Sequence, residues 1–200
     1  MINRNNSLTR LKRLRRLILS ILNDLYLFPQ SERLIKSTVQ EQFSNTTTKE
    51  IRDCFTYFSK RNYIDITGSN DDLLTAKITA KGVDIAQGSI IGKAILTSHL
   101  ASSRLKLKKA IRSKILEYCS WYPESFNSDD EIHSELQDQN GSRISLESVR
   151  MDIWYLSEKC YTEMRTQPIF GDFIYLARIT AKGINLVEQA ISDPGVSQDE

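Results

Sequence analysis

Arginine and lysine crowd two short stretches of this 200-residue chain in which no acid dilutes them. Residues 1–16 hold Arg4, Arg10, Lys12, Arg13, Arg15 and Arg16, and residues 104–114 hold Arg104, Lys106, Lys108, Lys109, Arg112 and Lys114. Guanidinium and ammonium groups at this density are suited to neutralising phosphates and releasing counterions from a nucleic-acid backbone. The formal net charge of +2 conceals them, because the remainder of the chain sums to −10. The competing reading of such clusters is a solvated helix face.

Other chemistry is poorly represented. His99 and His133 are the only histidines, and neither has a second ligand at metal-binding spacing. Phosphate-binding glycine loops and the nucleophile-elbow motif are absent from the sequence. Asp129, Asp130 and Glu131 stand where a helix begins, and capping accounts for them. Cys54, Cys119 and Cys160 are odd in number and dispersed, so they read as reduced core residues rather than a thiolate sensor. No catalytic residue, metal ligand or cofactor is assigned, and no enzymatic activity is expected. No apolar run approaches the roughly 20 residues that span a bilayer, and no secretory signal opens the chain. The expected location is the cytoplasm.

The elements that position the basic residues follow from an internal repeat. ITAKG occurs at Ile78 to Gly82 and again at Ile179 to Gly183, 101 positions later. Farther back, Ile51 to Ile64 precedes Val149 to Thr162 by 98 positions, and Arg15 to Leu22 precedes Arg112 to Cys119 by 97. A nearly constant offset means two copies of one architecture separated by small loop insertions. Residues 1–90 are expected to form the first domain with a basic N-terminal arm, 91–103 a connector, and 104–200 the second domain.

Within a copy, apolar residues at helical spacing (Leu14, Leu17, Ile18, Ile21, Leu22, Leu25) predict a first helix stopped by Pro29; Ile111, Ile115, Tyr118, Cys119 and Tyr122 repeat it before Pro123. A short second helix is predicted over Ser31 to Phe43, with Leu34, Ile35, Val39 and Phe43 inward, and over Ser128 to Gln137. The third carries Ile51, Phe55 and Phe58, or Val149, Ile153, Trp154 and Leu156, with Thr47 or Thr48 and Ser145 as N-cap candidates. Tyr57, Trp154 and Tyr155 are expected to pack in the core. Alternating strands then bracket GSNDD in one copy and QPIFGD in the other, which predicts two β-hairpins. A last helix follows Thr79 over Val83 to Gln87, and Thr180 over Ile184 to Ile191, with Gly82 and Gly183 in its first turn where a backbone passes close by.

The order ααα-ββ-α is the winged-helix arrangement, so the expected fold class is mainly α with small β-hairpins (α+β), in two tandem helix-turn-helix domains. In such domains the N-terminal residues of the third helix enter the major groove. Here those are Thr47, Thr48, Lys49 and Arg52, and Arg143, Ser145, Glu147, Ser148 and Arg150. Arg52 and Arg150 align, and each could pair with a guanine, touch a phosphate, or form an internal ion pair with Asp53 or Glu50, and with Glu147 or Asp152. The first wing is acidic, whereas Arg165 precedes the second, so Arg150 is expected to matter more than Arg52.

The stretch from Arg112 to Val196, with SLESVRMDIWYLSEK, ITAKGINLVEQ and DPGV, resembles the short ArsR-like winged-helix proteins of Mu-like bacteriophages. The resemblance implies DNA binding and a phage or mobile-element origin. The expected function is therefore sequence-selective binding of double-stranded DNA by a transcriptional regulator. The alternative is a non-catalytic adaptor whose partner is a protein, and a homodimer fits either; no membrane partner is expected.

Overall fold

The computed structural model describes residues 4–68, 73–88, 101–140 and 144–197. The chain divides into two compact units, Met1–Ser102 and Ser103–Glu200. The predicted connector falls mostly outside the described residues, and its last three residues already belong to a helix.

Unit 1 runs α1 (Arg4–Asp24), β1 (Gln30–Ser31), α2 (Glu32–Gln40), α3 (Thr48–Ser59), β2 (Ile64–Thr67), β3 (Thr75–Ile78) and α4 (Ala80–Gln87). Unit 2 repeats the order with α5 (Ala101–Trp121), β4 (Asn127–Ser128), α6 (Asp129–Asn140), α7 (Leu146–Glu158), β5 (Thr162–Ile169), β6 (Asp172–Ile179) and α8 (Ala181–Val187). The protein is α+β, with two small antiparallel sheets ordered β1-β3-β2 and β4-β6-β5. The strand before each second helix is only two residues long and carries no alternation, so sequence periodicity misses it.

Apolar stripes account for the core. Leu14, Ile18 and Leu22 of α1 are buried together with Ile35 and Val39 of α2 and with Ile51, Phe55 and Phe58 of α3. Ile115, Cys119, Ile132, Leu136, Val149 and Ile153 do the same in unit 2. Three predicted core positions are exposed for a geometric reason. Leu25 and Tyr122 each lie one residue past their helix end, and Leu34 is turned about 100° from its buried neighbour Ile35.

The repeated ITAKG acquires a physical meaning here. Ile78 and Ile179 are buried, and Thr79 and Thr180 cap the next helix by accepting from the N–H groups of Gly82 and Gly183, both at 3.1 Å. Each threonine hydroxyl also donates to a carbonyl after the third helix, of Asn62 at 2.7 Å and of Cys160 at 2.8 Å. A Cβ on Gly82 would stand 2.1 Å from the Tyr63 carbonyl oxygen, and one on Gly183 2.2 Å from that of Tyr161. Glycine is required by that close approach.

Cys160 departs from expectation. It is exposed, with φ of 61°, at the same turn where Asn62 has φ of 57°. Cys54 and Cys119 are buried, and burial pushes their thiols up to about 11 and about 12. The second hairpin is longer than predicted: its strands run through Gln167, Pro168 and Ile169, leaving only Phe170 and Gly171 as the turn, with φ of 44° and 90°. The last helix of unit 2 is shorter than predicted, ending at Val187, and Gln189 then turns left-handed with φ of 60°.

Candidate nucleic-acid interface

The two basic clusters are not equivalent surfaces. On α1, Arg13 and Arg16 are exposed and Lys12 is half-buried. Arg10 is tied to Glu50 of α3, and this hydrogen bond holds the Glu50 carboxyl below the usual range. Arg15 lies 3.6 Å from the centroid of Tyr57, over which Arg61 also stacks at 3.9 Å.

On α5 the charge turns inward. Lys106 is exposed, but Lys109 is buried and Arg112 has no exposure at all. Arg112 donates to Asp152 at 2.9 Å and to the Gly195 carbonyl at 3.0 Å, and its guanidinium lies 3.5 Å from the centre of Tyr155. Lys108 donates to the same Asp152 at 2.9 Å and to Ser148 at 2.7 Å. A phosphate-facing role for Lys108, Lys109 and Arg112 is thereby corrected: Lys108 and Arg112 serve a buried carboxylate, Arg112 also holds the closing segment of the unit, and Lys109 is buried. The signal lay in Asp152, an acid in the middle of a third helix whose unit 1 counterpart is Cys54.

The third helices begin as the sequence suggests. Thr47 caps α3 in a reciprocal capping box with Glu50, and Ser145 caps α7 by accepting from the Ser148 N–H at 3.2 Å. Thr48 accepts a hydrogen bond from Lys36 at 3.0 Å, and Lys49 is exposed. Arg143 lies outside the described residues, as do Asp71 and Asp72 of the first hairpin's GSNDD turn. Arg165 is exposed and stacks over Phe126 at 4.1 Å.

The aligned arginines are engaged internally, by partners not foreseen. Arg52 makes a two-pronged pair with Glu32, both contacts 2.7 Å, and this holds the Glu32 carboxyl below its usual range. Arg150 pairs with Asp129 at 2.5 Å, donates to the Phe173 carbonyl at 2.9 Å, and stands 3.5 Å from Asp172. Glu32 and Asp129 are each the first residue of the second helix. The same clamp thus joins the second and third helices in both units. Asp129 is fully buried in it, whereas capping falls to Ser128 and Glu131, which exchange hydrogen bonds at 3.2 and 2.9 Å. His133 is half-buried, with its ring nitrogen 2.7 Å from the Ile144 carbonyl oxygen, rather than a free surface side chain.

With these cations accounted for, the exposed faces of the two third helices can be compared position by position. Unit 1 presents Lys49, Asp53, Thr56 and, just past the helix, Lys60; the corresponding positions in unit 2 are the exposed Glu147, the half-buried Met151, the buried Trp154 and the exposed Glu158. The units differ likewise in total. Unit 1 carries 15 Lys and Arg against 9 Asp and Glu, whereas unit 2 carries 12 against 16. Lys60 and Arg61 were not singled out in the sequence because they lie past the apolar stripe that marks the helix.

Among the described residues no group of three His, Cys, Asp or Glu side chains stands close enough to hold a metal ion, and no helix is long and apolar enough to cross a membrane. Compared with protein-family models and with curated proteins, the chain finds no match.

Proposed function

We propose that the protein binds double-stranded DNA, as a regulator of transcription, and that unit 1 makes the contact. Each unit is taken as a winged helix, a reading supported by the element order, the three-stranded sheet closed by a hairpin, and a capped third helix. The observation that carries the functional reading is the division of charge: a net +6 in unit 1 against −4 in unit 2, with Lys49 and Lys60 at exposed positions where unit 2 has Glu147 and Glu158. Phosphates attract the first face and repel the second. This reverses the sequence expectation that Arg150 outweighs Arg52, since both arginines hold the fold and the free cations lie elsewhere.

The test is binding of the full chain to a random duplex by fluorescence anisotropy at several salt concentrations. Log affinity is expected to fall linearly with log salt, and Lys49→Gln with Lys60→Gln to flatten the slope by about 2, while Lys106→Gln leaves it unchanged. Absence of binding at low salt removes this reading. It would favour an adaptor, for which the acidic α7 face and the exposed Phe170 and Phe173 of unit 2 speak.

A further inference from the structure

Unit 1 contains an open groove of about 550 Å³ lined by Arg13, Arg16, Leu17 and Ser20 of α1 and by Gln42 and Phe43 after α2. The four α1 residues fall at i, i+3, i+4 and i+7, so they form one stripe of the helix. Every polar side chain in the lining can donate a hydrogen bond, and no carboxylate is among them. Neither Arg13 nor Arg16 has a carboxylate partner among the described residues, although Arg10 on the same helix does. Two exposed guanidiniums one helical turn apart repel each other weakly, by about as much as a surface ion pair on a helix attracts, and an anion between them turns that repulsion into two charge-assisted hydrogen bonds. Leu17 and Phe43 supply an apolar wall beside that charge.

We propose that this groove seats a phosphate ester of a nucleotide, the anion between Arg13 and Arg16 and the sugar or base against Leu17 and Phe43. The chemistry is that of a phosphodiester in duplex DNA or of a free mononucleotide, and with DNA as the source the inference rests on the function proposed above. The repeat supports a dedicated site. The equivalent α5 stripe is Ala110, Ser113, Lys114 and Glu117, with one cation for two and an exposed carboxylate where Ser20 stands. Unit 2 thus has the helix without the pair of guanidiniums.

The experiment compares the full chain with Arg13→Gln/Arg16→Gln and with a control, Arg33→Gln/Lys81→Gln, which removes two exposed charges elsewhere on unit 1. Each is titrated with random duplex DNA across salt and, by calorimetry, with thymidine monophosphate. For a DNA source, the groove variant loses about 1 from the salt slope per arginine that meets a phosphate, more than the control does, and the mononucleotide does not bind. For a free nucleotide, the unsubstituted chain and the control bind thymidine monophosphate and the groove variant loses at least tenfold in affinity. If the groove variant matches the control in both titrations, the proposal is overturned while duplex binding by the unsubstituted chain still stands. If that chain binds no duplex, the DNA reading fails and the mononucleotide arm alone decides the groove.

Discussion

Arg15 of α1 and Arg112 of α5 occupy the same place in their repeats, and each lays its guanidinium on the tyrosine of its third helix, 3.6 Å from Tyr57 and 3.5 Å from Tyr155. What stands beside them differs. Unit 2 has Asp152, and Arg112 is drawn fully into the interior with Lys108 behind it; unit 1 has Cys54, and Arg15 stays partly exposed. A basic first helix thus turns its charge inside the fold where a buried carboxylate and the Gly195 carbonyl receive it, and leaves it partly outside where a cysteine stands instead. A shared frame with a different charge allotment is how two copies of one architecture come to offer unlike surfaces.

The largest effect tests that comparison. Removing one partner of a buried ion pair strands the other, at about 3 to 5 kcal/mol, so Asp152→Ala should cost unit 2 that much. Both tryptophans of the chain, Trp121 and Trp154, lie in unit 2, so the urea midpoint read by tryptophan fluorescence reports it. Asp152→Cys, which copies unit 1, should cost nearly as much, because the thiol cannot answer Arg112. A loss under about 1 kcal/mol would break the comparison, since it would mean the stack on Tyr155 and the Gly195 carbonyl hold Arg112 without a carboxylate.

A smaller difference separates the two helix clamps. Arg150 meets the fully buried Asp129 and also reaches the hairpin through Phe173 and Asp172, whereas Arg52, which pairs with the buried Glu32, keeps about a third of its own side chain open to solvent. Arg150→Ala should therefore cost about 2 to 3 kcal/mol and Arg52→Ala about 1 kcal/mol. Hydrogen exchange at the amides of α6 and α2 measures each locally. Equal protection losses in the two helices would show that the clamps are interchangeable and that the hairpin contacts of Arg150 add nothing.

These clamps also mark where the sequence stopped being legible. Periodicity, prolines and capping residues located the helices and hairpins, because such signals act over a turn or two of chain. ITAKG was readable as a repeat, and its glycine as a point of close approach, though the carbonyl that makes glycine necessary lies 19 residues earlier in unit 1, at Tyr63. Pairing between Arg52 and Glu32, or between Arg112 and Asp152, spans 20 and 40 residues. Local charge counting assigns such arginines to solvent, and only the third dimension shows which carboxylate takes them. Of the candidate DNA residues, Arg13, Arg16, Lys49, Lys106, Ser145 and Arg165 stay exposed, while Lys109 and Arg112 do not.

The smallest effect concerns the hairpin of unit 2, whose strands β5 and β6 are eight residues long against four for β2 and β3. Its tip places Phe170 in a left-handed conformation, φ of 44°, with its side chain fully exposed. A two-residue turn of this kind favours asparagine at that position, since a bulkier side chain is strained there. Phe170→Asn removes no packing within the unit and relieves that strain, so it should stabilise unit 2 by about 0.5 to 1 kcal/mol, read again from tryptophan fluorescence. A gain of that size means the hairpin is held from below, by the Arg150 clamp, and tolerates an unfavourable residue at its end. A loss instead would mean that Phe170 is covered in solution, and since no contact within unit 2 covers it, the covering surface would have to come from elsewhere. Unit 2 would then be the half of the repeat that binds protein, and the division between the two copies would be one of partner as well as charge.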